Sequence, residues 1–444
     1  MAAALAVHFE RGQDSPRAVH YLQQAAENAA RRHAHHEVTT LVTKGLELLA
    51  TLPETPARAQ QELEMQLTLG PALRATKGSA ALEVEQTYAR AQALCAQVGE
   101  TPQLFPTLLG LCRFYRNRGA VRTAREIGEQ LFGLVQREAD PTHLLEAHDA
   151  LGSTLLFLGE YSAALMHHEQ GIILADPAAQ QTQAFRYGEA PGVRCLAHMA
   201  NTLWCLGFPG QAVRRIQEGL ALARALAHPY SLALVQFWAM ALHHRRREAS
   251  AVQAQAEVLL SLATAQGFPL YMSFGICWGG WARVVQGQAE AGLAQLHQGI
   301  AALMAEMEIS RPLCLILLVE ALGHAGQGAE GLCLLAEARA MFETSGRGDW
   351  LTEVYRLQGV LLQQQAVPDT TQAEACFQQA LTIARRQQAK SWELRAALSL
   401  SRLWHSQGKH TDAYALLAPI YGWFTEGFDT ADLQEARALL AALA

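Results

Sequence analysis

The stretch Leu151–Leu174, LGSTLLFLGEYSAALMHHEQGIIL, decides the fold. A small residue, Gly152, is followed seven positions later by Gly159, and then by Glu160 and Tyr161. Ala164 comes five positions after Gly159, and Gly171 seven after that. This is the order of a helical hairpin. Gly152 and Ala164 are small where two antiparallel helices cross, because a larger side chain would push the helices apart and close-packed interiors do not absorb that. Gly159 ends the first helix, where a left-handed cap costs glycine least. Tyr161 follows the turn and covers the base of the hairpin.

The frame recurs. Its first small position falls at Gly70, Cys112, Gly152, Ala200, Ala239, Gly280, Val319, Gly359 and Ser401. The turn falls at Gly119, Gly159, Gly207, Arg246, Gly287, Gly326 and Gly408. The second small position falls at Ala124, Ala164, Ala212, Ala251, Gly292, Gly331 and Ala413. This order of features resembles the tetratricopeptide (TPR) repeat and implies an all-α, TPR-like solenoid of stacked antiparallel hairpins. Units recur at about 40 residues, against ~34 in a standard TPR, so longer helices are expected. A strand-rich fold is disfavoured: sustained period-two alternation is missing, and good helix formers abound.

The pattern divides the chain into irregular N-terminal hairpins over 1–56, the array over 57–420 and a C-terminal capping region over 421–444. Two irregular units are expected around His8–Ala26 and Arg31–Leu49. Breaks fall at Pro53–Pro56, Thr101-Pro102 and Asp176–Gly192. The last, DPAAQQTQAFRYGEAPG, reads as an extended connection along the surface, either a plain connector or a contact element. A short insertion lies at Val367–Thr371, with Pro368 breaking the pattern. Gly427 is expected to end one helix, with Asp429 or Thr430 capping the next.

With a net charge of −6 over 444 residues, the chain lacks the basic footprint that phosphate neutralisation requires, so no nucleic-acid partner is expected. The eight cysteines include no C-x-x-C pair, and most lie in Leu- and Ala-rich helical stretches. They read as buried, reduced thiols of a cytoplasmic protein. The N-terminus, MAAALAVHFERGQD, lacks the basic start of a secretory leader. The most apolar run, Pro312–Val319, stops at Glu320, far short of the ~20 residues that span a bilayer. It reads as a buried helix, and no membrane contact is expected.

Catalytic motifs are decoys here. Gly326–Gly331 matches G-x-G-x-x-G, but a dinucleotide site needs a strand before it. In the repeat frame Gly326 is a turn and Gly331 a crossing position. Gly408-Lys409 lacks the upstream glycine of a phosphate loop. His33, His35 and His36, His167–His168 and His243–His244 cluster in sequence. Adjacent helical residues point ~100° apart and rarely converge on a metal, so these read as surface or groove histidines. Neither an enzyme activity, a cofactor nor a metal is expected.

Several stretches resemble the C-terminal TPR region of bacterial signalling proteins that join a class III nucleotide cyclase to a STAND-type ATPase. They include HFERG at His8, GPALRATKG at Gly70–Gly78 and VGETPQLFPTLLGLCRFY at Val98–Tyr115. FRYGEAPGV at Phe185–Val193, ALAHPYSLA at Ala225–Ala233 and ATAQGFPLY at Ala263–Tyr271 follow. RRQQAKSWELRAALSLSRLW at Arg385–Trp404 and YGWFTEGFDTADLQEA at Tyr421–Ala436 complete the set. The resemblance implies a bacterial, cytoplasmic sensor or scaffold. Its partner would be a peptide or protein, or a cyclase or ATPase domain in cis or in trans. It also implies an alternative role, a small-molecule effector-sensing arm regulating such an ATPase or cyclase. In TPR arrays the first helix of each unit lines the concave groove. That places Arg113, Arg116, Asn117, Asn201, Trp204, Gln236, His243, His244 and Trp281 as partner-binding candidates. Trp204 and Trp281 read equally as core between units.

Overall fold

The computed structural model describes every residue except Glu100, Ala139, Pro177 and 305–309, and for 137–138, 185–187 and 304 the backbone alone. The described residues form helices and no strand. Three helices open the chain: α1 (Ala2–Arg11), α2 (Ser15–Arg31) and α3 (His35–Ala50). Hairpins follow: α4 (Pro56–Lys77) with α5 (Leu82–Val98), α6 (Leu104–Asn117) with α7 (Val121–Glu138), and α8 (Pro141–Leu158) with α9 (Tyr161–Leu174). A short α10 (Gln180–Tyr187) precedes the pair α11 (Pro191–Leu206) and α12 (Pro209–Ala225). Next come α13 (Pro229–Arg245) with α14 (Ala249–Gln266), and α15 (Pro269–Val285) with α16 (Ala289–Met304). The last hairpins are α17 (Arg311–His324) with α18 (Gly328–Ser345), α19 (Leu351–Gln363) with α20 (Thr370–Arg386), and α21 (Lys390–Ser406) with α22 (His410–Tyr421). Helix α23 (Ala431–Leu443) packs on the last hairpin.

The first helices of successive units, α4, α6, α8, α11, α13, α15, α17, α19 and α21, each touch the next and form the inner layer. Proline opens α8, α11, α13 and α15, where its fixed φ is pre-organised and its missing N–H has no helical partner to lose. The crossings behave as the frame requires. A Cβ on Gly280 would lie 2.8 Å from the Gly292 carbonyl oxygen, and one on Gly292 would lie 2.6 Å from that of Gly280. Backbone therefore meets backbone where α15 crosses α16.

Some expectations are corrected. In the α13–α14 unit the left-handed residue is Arg247 (φ 63°), not Arg246, so the frame slides by one. Val252 is buried there while Ala251 is partly exposed, and Met240 takes the inner position. Residues 176–192 are not wholly extended: α10 forms within them. Gly427 does not end a helix. It lies in the loop after α22. Thr430 takes the N-cap position of α23, its carbonyl accepting from the Gln434 N–H at 3.0 Å, while its hydroxyl turns back to the Gly427 carbonyl. The 312–319 run is buried within α17, as expected, and Gly326 (φ 75°) is a turn residue between α17 and α18. Seven cysteines are buried and free; Cys333 is free and exposed. No helix among the described residues is long and apolar enough to cross a membrane.

The inner layer is covered on its concave side as well. Every residue of α11 is buried, which a helix in one layer with a solvent-filled groove would not show. The cover is the next turn of the superhelix. The Tyr161 hydroxyl donates to the Asp349 carbonyl at 3.1 Å, across 188 residues, and the Ser391 hydroxyl to the Trp204 carbonyl at 2.5 Å, across 187. One turn thus takes roughly five units of this length. Gly348 N–H donates to the Phe157 carbonyl at 2.9 Å, and Trp392 meets Trp204 edge-on at 4.8 Å. At the other end His33 packs edge-on against His228 at 4.5 Å.

Candidate functional site

Where the turns meet, they leave a half-open chamber of about 110 Å³. Leu234, Phe274 and Leu313 line it from α13, α15 and α17, and Arg194 from α11. These four hold the same register, six residues before the inner small position in successive units, once α13 is counted from Met240. The loop after α18 enters from the opposite side with Arg347, Asp349 and Trp350. Tyr230, Phe237, Trp238 and Tyr271 complete an aromatic wall.

Charged groups stand among the aromatic ones. Arg194 is 1% exposed and contacts three carboxylates: Asp149 at 2.5 Å, Glu146 at 2.6 Å and Glu189 at 2.7 Å. Glu146 also accepts from Arg113 at 2.6 Å, and Glu189 from Arg74. Burial alone would raise Asp149 and Glu189. For Asp149, Arg194 overrides burial and holds the carboxyl well below the usual range. For Glu189, burial is outweighed by Arg74 and Arg194, and the pKa falls to about 2. Arg347 and Asp349 form a two-bond pair at 3.0 and 2.7 Å. Two arginines are left over. Arg116 donates to the Ser153 hydroxyl and Arg245 to the Asn201 amide oxygen, and among the described residues neither has a carboxylate within ion-pair distance. The Arg245 guanidinium lies 4.9 Å over the Trp350 ring. Burial, only partly offset by Asp149, lowers Arg116 to about 10, which still leaves it charged at neutral pH.

Asp149, His168 and His198 bring one donor atom each within 4.8 Å of one another. By type the set suits a zinc-class ion. The surroundings oppose one, because Arg194 already holds the same carboxylate at 2.5 Å and the charges of Arg116 and Arg194 both act on His198. His168 is completely buried, not a surface or groove residue, and burial lowers it to about 3.

The sequence candidates scatter over the inner layer. Arg116 and Asn117 line the chamber, and Asn201 sits behind it as the partner of Arg245. Arg113 lines a separate cavity of about 220 Å³ with Tyr88, His35 and His228. His244 and Trp281 line a third, of about 270 Å³, where both bond Glu320 at 2.9 and 2.8 Å. Burial would raise Glu320; His244 overrides it and holds the carboxyl at about 2. Trp204 packs at the closure against Trp392, Gln236 is buried within α13, and half-buried His243 bonds Glu248 at 2.6 Å in the turn to α14. The sequence reading did not select Arg194, Arg245, Asp149, Glu189 or Trp350.

Comparison with solved structures gives a Rap protein complexed with competence and sporulation factor, at TM-score 0.60 and 10% identity, covering 83% of this chain and 98% of that one. The fold is that of a TPR-like α-solenoid. The apo form of the quorum sensor NprR from B. thuringiensis aligns at TM-score 0.48 and 11% identity over 83% of this chain and 99% of its own. A STAND protein with a tetratricopeptide repeat sensor from Pyrococcus horikoshii gives 0.44 and 14%, over 86% and 55%. An uncharacterized protein of Rhizobium meliloti (strain 1021) is 22% identical over 369 residues, 81% of this chain. The match spans only 35% of that relative's length. No protein-family model matches the chain.

Proposed function

We propose that this chain is a non-catalytic regulatory module of a bacterial, cytoplasmic signalling system. It binds a peptide or protein partner, and the chamber between superhelical turns seats part of that partner. The observation that carries this reading is the chamber's position. Phe157 and Arg194 from one turn line it together with Arg347, Asp349 and Trp350 from the next. An occupant contacts both turns at once, so its binding energy bears on how tightly the superhelix winds. That coupling is what a sensor needs. The Rap protein of like fold was crystallised with competence and sporulation factor, which agrees with ligand binding by such an array.

The inner-face candidates fall within this proposal: Arg116 and Asn117 at the chamber, and His244 and Trp281 at the third cavity. A cyclase or ATPase domain, in cis or in trans, is proposed as the element regulated. The chamber's aromatic lining with a few charged groups also fits a second reading, a small-molecule effector arm of a STAND-type ATPase or cyclase. Selection of a random peptide library on the full chain separates the two. Enriched peptides displaced by a Trp350→Ala substitution support the first. No enriched peptide, with saturable binding of a metabolite-sized acid, supports the second. The absence of both results overturns both readings.

A further inference from the structure

We infer that the chamber binds a carboxylate, carried on a ring-sized apolar group, between Arg116 and Arg245. This rests on reading the chamber as a ligand seat and adds the chemistry of what sits there. Arg194, Arg74 and Arg113 account for Glu146, Asp149 and Glu189, and Arg347 accounts for Asp349. Arg116 and Arg245 are then positive charges over nine-tenths buried with no carboxylate in ion-pair distance among the described residues; Arg116 donates to a hydroxyl, and Arg245 donates to an amide oxygen and lies over the Trp350 face. Among the described residues the Nε of each has no hydrogen-bond partner. Neutral acceptors satisfy single N–H groups without cancelling charge, and a buried cation without a counter-ion is strongly disfavoured. A guanidinium is matched by the planar, two-oxygen face of a carboxylate.

The walls fix the rest of the ligand. Phe237, Trp238, Phe274 and Trp350 supply aromatic walls, with Trp350 directly beside Arg245. At about 110 Å³ the space is comparable to the ~150 Å³ engineered cavity that holds benzene. It takes one ring or one branched side chain beside a carboxylate. Two sources fit: the C-terminal residue of a peptide, with the rest of it outside, and a free small acid.

Calorimetric titration of the full chain tests this with phenylacetate, phenylacetamide, and a tripeptide ending in phenylalanine with its terminus free or amidated. The acids are expected to bind roughly tenfold or more tightly than their amides, the factor a charged hydrogen bond carries. Arg116→Gln and Arg245→Gln are each expected to lower acid affinity by a similar factor and leave amide affinity unchanged. The unliganded variants are expected to melt no lower than the parent, because each loses an unanswered buried charge. Binding by the tripeptide acid alone assigns a peptide terminus, and by phenylacetate alone a free acid. Equal binding of tripeptide acid and amide overturns the carboxylate inference and leaves the peptide-binding reading standing. No binding by any of the four overturns the inference. The acid–amide comparison on the unaltered chain decides even where a variant fails to fold.

Discussion

The Tyr161 hydroxyl reaches the Asp349 carbonyl oxygen at 3.1 Å, across 188 residues of chain. Tyr161 stands at the aromatic turn position of its own repeat, yet its polar end serves the next superhelical turn. Tyr161→Phe keeps the ring and leaves a buried carbonyl unpaired. The expected cost is about 1 to 3 kcal/mol in denaturant unfolding. The Gly348 and Asp349 amides, which bond the Phe157 carbonyl, are expected to exchange faster in the variant. Unchanged exchange there would mean that Tyr161 does not hold the turns together.

Arg194 is the shared partner of three buried carboxylates. Arg194→Leu leaves Asp149 without an arginine and Glu146 and Glu189 with one each, Arg113 and Arg74, and the expected loss is ~3–5 kcal/mol. Arg90→Ala breaks the two-bond pair with Glu62 on the outer surface, where Arg90 is about half exposed, and is expected to cost no more than ~1 kcal/mol. Similar losses in urea unfolding of the two variants would refute a buried network.

Acid stability follows from the buried histidines. Burial, helped by neighbouring histidines, lowers His35 and His148 to about 4 and His168 and His228 to about 3, from 6.5. The unfolded chain takes up these protons first. Stability is therefore complete above pH 6.5 and falls as the pH drops toward 3, by up to ~1.4 kcal/mol per pH unit for each histidine. Asp149 and Glu189, both lowered in the folded chain, add loss in the same direction, starting near the ordinary carboxyl range. Melting is expected to drop between pH ~6.5 and ~5, before the carboxylates titrate, and His168→Asn is expected to flatten the slope. A level melting temperature over that window contradicts the burial of these rings.

The crossing glycines give a paired test. Gly292→Ala places a methyl 2.6 Å from a backbone carbonyl oxygen and is expected to destabilise by ~1–3 kcal/mol or more. Gly133→Ala, in the exposed part of α7, meets nothing within 4 Å and is expected to stabilise by ~0.5–1 kcal/mol. The same sign for both in thermal melts would count against the crossing geometry.

The hairpins were legible in the sequence because each is a local event. Gly152, Gly159 and Ala164 encode one crossing and one turn within thirteen positions. The slip to Arg247 was missed because an arginine in the left-handed region gives no glycine to read. The chamber depends on how many units complete one turn, which small rotations between units set and residue spacing does not encode. One signal was present. The register six before the inner small residue holds Glu146 in one unit and Arg194 in the next, a charge on the core face of each helix, and the two bond at 2.6 Å. The same register pairs Glu353 with Arg395, at 3.9 Å. His168 was misplaced because neighbours on a helix differ in burial: His167 is partly exposed and His168 faces Asp149 and His198.

Hydrogen exchange of the full chain, alone and saturated with a library-selected peptide, tests the central claim most directly. The account expects slower exchange in α11, α13 and residues 346–350, on both walls of the chamber. Protection confined to the outer helices α12, α14 and α16, with the chamber segments unchanged, would contradict it.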